Sequence, residues 1–212
     1  MTQELTVEIE GWVHGARIPE RYAFGKIPAY GRFEVGGNVS PGISWSNVPE
    51  GTKSFAVICH DPDVPSVADD VNQEGKTVAA DLPRVDFFHW VLANIPANVR
   101  GLDEGIASTG VTPKGKTPGQ KNHGDAGLNN YTDWFNGDPD MEGNYGDYDG
   151  PCPPWNDLLV HRYIFTVHAL GVETLKLPEG YSGQDLLTAM KGQVLASGSF
   201  VGTYSMNPDV TA

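Results

Sequence analysis

Three short apolar stretches, each shut off by proline or glycine, constrain this chain more than any other feature. They are Ser54-Phe55-Ala56-Val57-Ile58-Cys59, the run Phe87 to Ile95 (FFHWVLANI) closed by Pro96, and residues 158–170 (LLVHRYIFTVHAL) closed by Gly171. Their shortness and their content of β-branched and aromatic residues predict buried strands rather than helices. In the third run, alternation places His161, Tyr163, Phe165 and Val167 on one face. The first run is expected to end at His60-Asp61-Pro62-Asp63-Val64-Pro65, because prolines lack the backbone donor that central pairing needs.

The rest of the chain supports a mainly β reading. Leu5, Val7 and Ile9 alternate with Thr6, Glu8 and Glu10, as in a strand with one wet face. Gly (26) and Pro (16) make up about a fifth of the 212 residues, against roughly 12% in average usage, which argues against a helical bundle. Residues 11–42 and 66–86 read as loop. A helix is predicted to start near Ser182, an N-cap with Asp185 three positions on. Its apolar stripe runs through Leu186, Met190 and Val194, with Gly192 inside it. The length suits one domain spanning 1–212, with an acidic loop insertion at about 108–147.

Charge excludes several partners. Fourteen basic residues against 27 acidic ones give a net charge of −13, so no general attraction to nucleic acid is available. No apolar run reaches the ~18 residues that membrane insertion by a helix needs, and the first residues show no leader pattern. With only Cys59 and Cys152 there is no disulfide framework, although one bridge between them stays open, and a cytoplasmic location is expected.

The sequence lacks the phosphate loop G-x-x-x-x-G-K-[ST], the zinc helix H-E-x-x-H, the nucleophile elbow G-x-S-x-G and the C-x-x-C pair. What remains is a set of polar groups on or beside the apolar strands: Asp61 and Asp63, His89, and His161-Arg162-Tyr163. Each alone reads more readily as a turn residue, a satisfied core histidine or a packed aromatic than as a functional group. Together they would bury several polar groups that need partners, either one another or a ligand.

These blocks resemble the phosphatidylethanolamine-binding protein family, that of the Raf kinase inhibitor protein, in its bacterial branch. The resemblance rests on Asp61-Pro62-Asp63-Val64-Pro65, on Phe88-His89-Trp90-Val91-Leu92-Ala93-Asn94-Ile95-Pro96, and on Gly150-Pro151-Cys152-Pro153-Pro154 followed by His161-Arg162-Tyr163. It covers roughly residues 40–100 and 145–205, and Gly202-Thr203-Tyr204 fits it too. The segment at about 108–147 and Trp155-Asn156-Asp157 depart from the family pattern.

The resemblance implies antiparallel sheets with Greek-key connections, a few peripheral helices including one near the C-terminus, and a small anion-binding pocket. That pocket would be lined by Asp61, His89, Pro153, Pro154, His161 and Tyr163, with Tyr204 as a closing residue. Asp63, Pro65, Trp90, Gly150 and Arg162 would support it. The implied partner is a small phosphorylated or anionic ligand, and the family also suggests a regulatory protein partner and a homodimer. No cofactor or metal is expected.

A protonated imidazole next to the Asp61 carboxylate would hold an oxyanion, and an unperturbed histidine titrates near ~6.5. Phosphate-type ligands are therefore predicted to bind more tightly at pH 6 than at pH 8. One competing reading is a phosphoester or ester hydrolase using an Asp61/His161 acid–base pair. Another is an interaction module whose acidic 101–150 segment engages a basic partner. Asp138, Asp140, Glu142 and Asp149 also match a calcium loop weakly, with Asp in place of the final Glu and no flanking helices.

Overall fold

The computed structural model describes residues 4–210. Before the long central strands come β1 (Thr6–Ile9), the hairpin strands β2 (Gly25–Lys26) and β3 (Glu34–Val35), and β4 (Ile43–Ser46). The central pair is β5 (Ser54–Pro65) and β6 (Arg84–Pro96). The following segment holds β7 (Gly101–Leu102), β8 (Gly115–Lys116), β9 (Gly119–Lys121), β10 (Gly124–Ala126), a single turn α1 (Tyr131–Trp134) and β11 (Asn144–Tyr145). The chain then forms β12 (His161–Leu170), α2 (Gly183–Ala189) and β13 (Val194–Tyr204). Residues 101–150, read from sequence as one elaborated loop, thus contain five very short strands and a helical turn, and the expected loop 11–42 contains a hairpin.

A six-stranded sheet has the order β13-β12-β5-β6-β10-β9, and a three-stranded sheet the order β1-β4-β7. The pairs β12–β5, β5–β6 and β6–β10 are all antiparallel. The chain runs through β5, β6 and β10 and returns by a long connection to set β12 beside β5, which is a Greek key.

The central strands are covered on both sides, which explains why their sequences are continuously apolar rather than alternating. One face packs Phe55, Val57, Trp90, Leu92 and Phe165 against Val7, Ile9 and Trp45 of the small sheet. The other packs Ala56, Ile58 and Val91 against Leu186 and Met190 at α2. Burying each of these two helix side chains contributes roughly 1.5–3 kcal/mol. Ser182 and Asp185 form a complete reciprocal capping box. The helix is shorter than its stripe suggested: it ends at Ala189, Gly192 adopts φ +76°, and Val194 already belongs to β13.

Strand β5 does not stop at His60 as expected but continues to Pro65. Its register with β6 slips between Asp61 and Val64. An irregular ladder needs no donor from Pro62, so the proline is tolerated and the strand bends there. Among the described residues no helix is long and apolar enough to cross a membrane.

Candidate functional site

The slip in β5 brings Asp61 under the start of β12. There Asp61 Oδ1 accepts the Asp63 backbone N–H at 2.8 Å, and Oδ2 accepts from His161 Nδ1 at 2.7 Å. The other ring nitrogen of His161, Nε2, donates to Asp157 Oδ2 at 3.1 Å. Arg84 at the head of β6 completes the chain by a two-pronged contact to Asp157, at 2.6 and 3.1 Å. Asp61, Asp157 and His161 are all essentially inaccessible to solvent.

Burial by itself would lower the His161 pKa, but hydrogen bonds to Asp157 and Asp61 outweigh it and raise it to about 9. His161 is therefore an imidazolium at neutral pH with both N–H groups committed to carboxylates. The charges of Asp61, His161, Asp157 and Arg84 balance. An acid–base pair for hydrolysis needs a ring nitrogen free to exchange a proton with substrate, and His161 has none.

His89 on β6 behaves in the opposite way. Its Nδ1 lies 2.8 Å from the Asp149 carbonyl oxygen, so Nδ1 carries the proton and Nε2 is an acceptor. The rings of Phe87, Tyr131 and Tyr163 surround it at centroid distances of 4.9, 5.6 and 5.1 Å. Burial lowers its pKa to about 4, against the opposing pull of Asp61. The sequence argument placed a histidine titrating near 6.5 in the site; the two rings are displaced in opposite directions, away from that value.

Tyr163 is buried, and its hydroxyl makes no well-formed hydrogen bond, only a weak approach to Asp61. Burial, followed by the Asp61 charge, pushes its pKa well above the usual phenol value. A neutral, weakly held O–H therefore sits beside His89 at the floor of a cavity of about 410 Å³. Asp61, His89, Pro153, Pro154, His161 and Tyr163 all line this cavity, as does Pro65.

Tyr204 does not line it. Although Tyr204 is opposite His161 in the β12–β13 register, it is buried beneath Arg17 and donates to the Gly25 carbonyl at 3.1 Å. Asp63 accepts from the Arg162 backbone and guanidinium at 2.7–2.9 Å, which fixes β12 against the bend in β5. Trp90 donates to Asp147 Oδ1 at 2.7 Å inside the core. Gly150 passes so close to Tyr22 that a Cβ would meet its carbonyl oxygen at 2.0 Å, so only glycine fits there.

Several site residues were not anticipated. Asp157 lies four positions before His161, a spacing that could have suggested a second carboxylate, whereas nothing in the sequence pointed to Arg84. Trp155-Asn156-Asp157 ties this segment to the 70–76 loop: Trp155 N–H donates to Asn72 Oδ1, and the Asn156 amide donates to the Asp70 and Lys76 carbonyls.

The acidic segment supplies apolar wall. Tyr131, Trp134, Phe135 and Met141 line the cavity together with Phe24, Phe33 and Val35 from around the β2–β3 hairpin. Its acids do not converge on a cation. Asp149 is enclosed, bonded to Lys116, Asn38 and Asn129, and Asp147 accepts from His123, whereas Asp138 caps the Asp140 and Met141 backbone. Both cysteines are free thiols, and burial pushes that of Cys152, on the cavity wall, up to about 12.

A sequence profile described as phosphatidylethanolamine-binding protein matches residues 9–205. A UPF0098 protein of Methanothermobacter thermautotrophicus is 34% identical over 188 residues, 89% of this chain and 90% of the relative. The UPF0098 protein YbhB of Escherichia coli is 34% identical over 191 residues, 90% and 94% of the two chains. Among solved structures, E. coli YbcL, described as a member of the mammalian PEBP family, superposes with a TM-score of 0.66 at 28% identity, covering 95% of this chain and 98% of its own. The PEBP homologue CT736 of Chlamydia trachomatis gives a TM-score of 0.62 at 27% identity, covering 96% and 98%. With a Greek-key β fold, the D-P-D and H-R-Y strands meeting at one cavity, and these matches along nearly its whole length, the chain belongs to the phosphatidylethanolamine-binding protein family.

Proposed function

We propose that the cavity binds the phosphomonoester head of a small molecule, and that the protein works through occupancy rather than catalysis, passing the bound state to a protein partner. One observation supports this reading above the others: the Tyr163 O–H, which makes no well-formed hydrogen bond, shares the cavity with the unprotonated Nε2 of His89. Such a floor matches a group that both gives and takes a hydrogen bond. A phosphomonoester carrying one proton does so, through its P–OH to His89 and a P–O from Tyr163. The dianion has only acceptors and mismatches His89.

Phosphoethanolamine, the soluble fragment of the lipid in the family's name, is a suitable probe. A phosphomonoester takes up its second proton near pH ~6. Both histidines hold their charge state across pH 6–8, so the change in affinity comes from the ligand. Calorimetric titration is expected to give affinity at least about tenfold tighter at pH 6 than at pH 8. Sulfate, which has no proton to give, should bind weakly and equally at both. Equal phosphoethanolamine affinity at the two pH values, or sulfate binding that matches it, would overturn the reading.

A further inference from the structure

The β2–β3 hairpin stands over the cavity on few ties. Its two strands pair only with each other and join neither of the larger sheets. Its base is fixed, because the Phe24 and Gly25 N–H groups both donate to the Pro151 carbonyl and the Asn38 N–H donates to Ala23. Beyond that base, residues 29–35 are all exposed. Among the described residues, the tip segment 27–33 makes polar contact with the rest of the molecule through Arg32 alone. Its guanidinium donates to the two Glu74 oxygens at 3.3 and 3.4 Å and lies 4.7 Å from the centre of the Trp155 ring.

That side chain spans a gap between two walls of the cavity. Phe33 and Val35 line it from the hairpin, and Val71 and Asn72 line it from the loop that carries Glu74. A charge pair between exposed side chains contributes little, and a guanidinium over an exposed ring adds about as much again, so the tie is weak enough to break often. Beneath the tip lies Cys152. Its Sγ and the Phe33 ring stand 2.6 and 2.8 Å from the point a Gly25 Cβ would occupy, so thiol and ring are neighbours. Burial keeps the thiol in its neutral form.

We propose that the β2–β3 hairpin is a lid on the cavity, latched by Arg32 to Glu74 and Trp155, and that ionic strength sets how often it opens. Release of Arg32 lets the tip lift on its anchored base and uncovers Cys152 and the cavity behind it. Such a lid governs entry whatever molecule the cavity takes.

Cys152 is the reporter for the test, and Cys59, buried in the core, is the internal control. The rate of alkylation by N-ethylmaleimide at pH 8, read by peptide mass spectrometry, is compared for the wild type, Arg32→Ala, Arg32→Lys and Glu74→Gln. Arg32 and Glu74 are both more than half exposed, so folding should survive their replacement. When closing outpaces labelling, the rate follows the open population. Arg32→Ala is expected to label at Cys152 about fivefold faster than the wild type, and Arg32→Lys and Glu74→Gln about twofold faster. The reagent is neutral, so raising NaCl from about 0.05 to about 0.5 M should speed the wild type and leave Arg32→Ala unchanged. Equal rates in all four proteins, or a wild-type rate indifferent to salt, would overturn the latch. Alkylation of Cys59 in step with Cys152 would mean that labelling follows unfolding of the whole domain, and would overturn the lid.

Discussion

Two polar groupings meet at one cavity and differ in a single respect. Around His161 every hydrogen-bonding group is matched: Asp61, Asp157 and Arg84 form a closed, charge-balanced chain. Beside it, the Tyr163 hydroxyl makes no well-formed hydrogen bond. The grouping richest in titratable residues is the one least able to engage a ligand, since its capacity is used internally. On the proposed reading the plain phenol, unremarkable by charge, is the group left for a ligand. Buried chemistry by itself thus does not mark a binding function; unsatisfied buried chemistry is the better guide.

The largest effect should come from opening the closed chain. Asp157→Ala leaves Arg84 and an imidazolium buried without one carboxylate, and is expected to cost about 3–5 kcal/mol in denaturant unfolding. A loss below about 1 kcal/mol would mean that the chain is no tighter than a surface pair.

Stability should depend on pH in a way that separates the two histidines. The folded His161 pKa lies above its unfolded value, so its contribution is complete below ~6.5 and is lost as pH rises through about 9. The folded His89 pKa lies below its unfolded value, so its contribution is complete above ~6.5 and is lost as pH falls toward about 4. His168, also lowered to about 4 by burial, adds to the acid side. A melting temperature that peaks near pH ~6.5 is expected, with the alkaline slope flattened in Asp157→Ala. A melting temperature that climbs steadily from pH 6.5 to 8.5 would contradict the clamped imidazolium.

The smallest effect concerns the brace. Arg162 is 56% exposed while it grips Asp63, so Arg162→Ala should cost only about 1 kcal/mol and leave phosphoethanolamine affinity unchanged. Affinity falling with that substitution would place Arg162 in contact with ligand.

The parts of this arrangement legible in the sequence are those set by local pattern. Strands β5 and β6 announce themselves by their continuous apolar runs and β12 by its alternation, and the family blocks on them bring Asp61, His89, His161 and Tyr163 to one cavity. The short strands β7 to β11 were not legible, since two or three residues show no period and their pairing is decided by distant partners. Averaging charge over 101–150 hid Tyr131, Trp134 and Phe135, because a composition count does not see which side chains a fold turns inward. The pH argument failed for a related reason: an imidazole's pKa follows from its neighbours, and Asp157 and the aromatic ring cage around His89 are tertiary facts. Tyr204 was placed by resemblance alone, and its hydroxyl is instead taken by Gly25.

Tyr163→Phe tests the central claim most directly, because it removes the weakly held hydroxyl and keeps the ring. If that O–H is held in reserve for a ligand, the variant should unfold at higher denaturant, gaining about 1–2 kcal/mol, and lose about tenfold or more in phosphoethanolamine affinity at pH 6. A variant that is less stable, or one that binds as tightly as the wild type, would contradict the account.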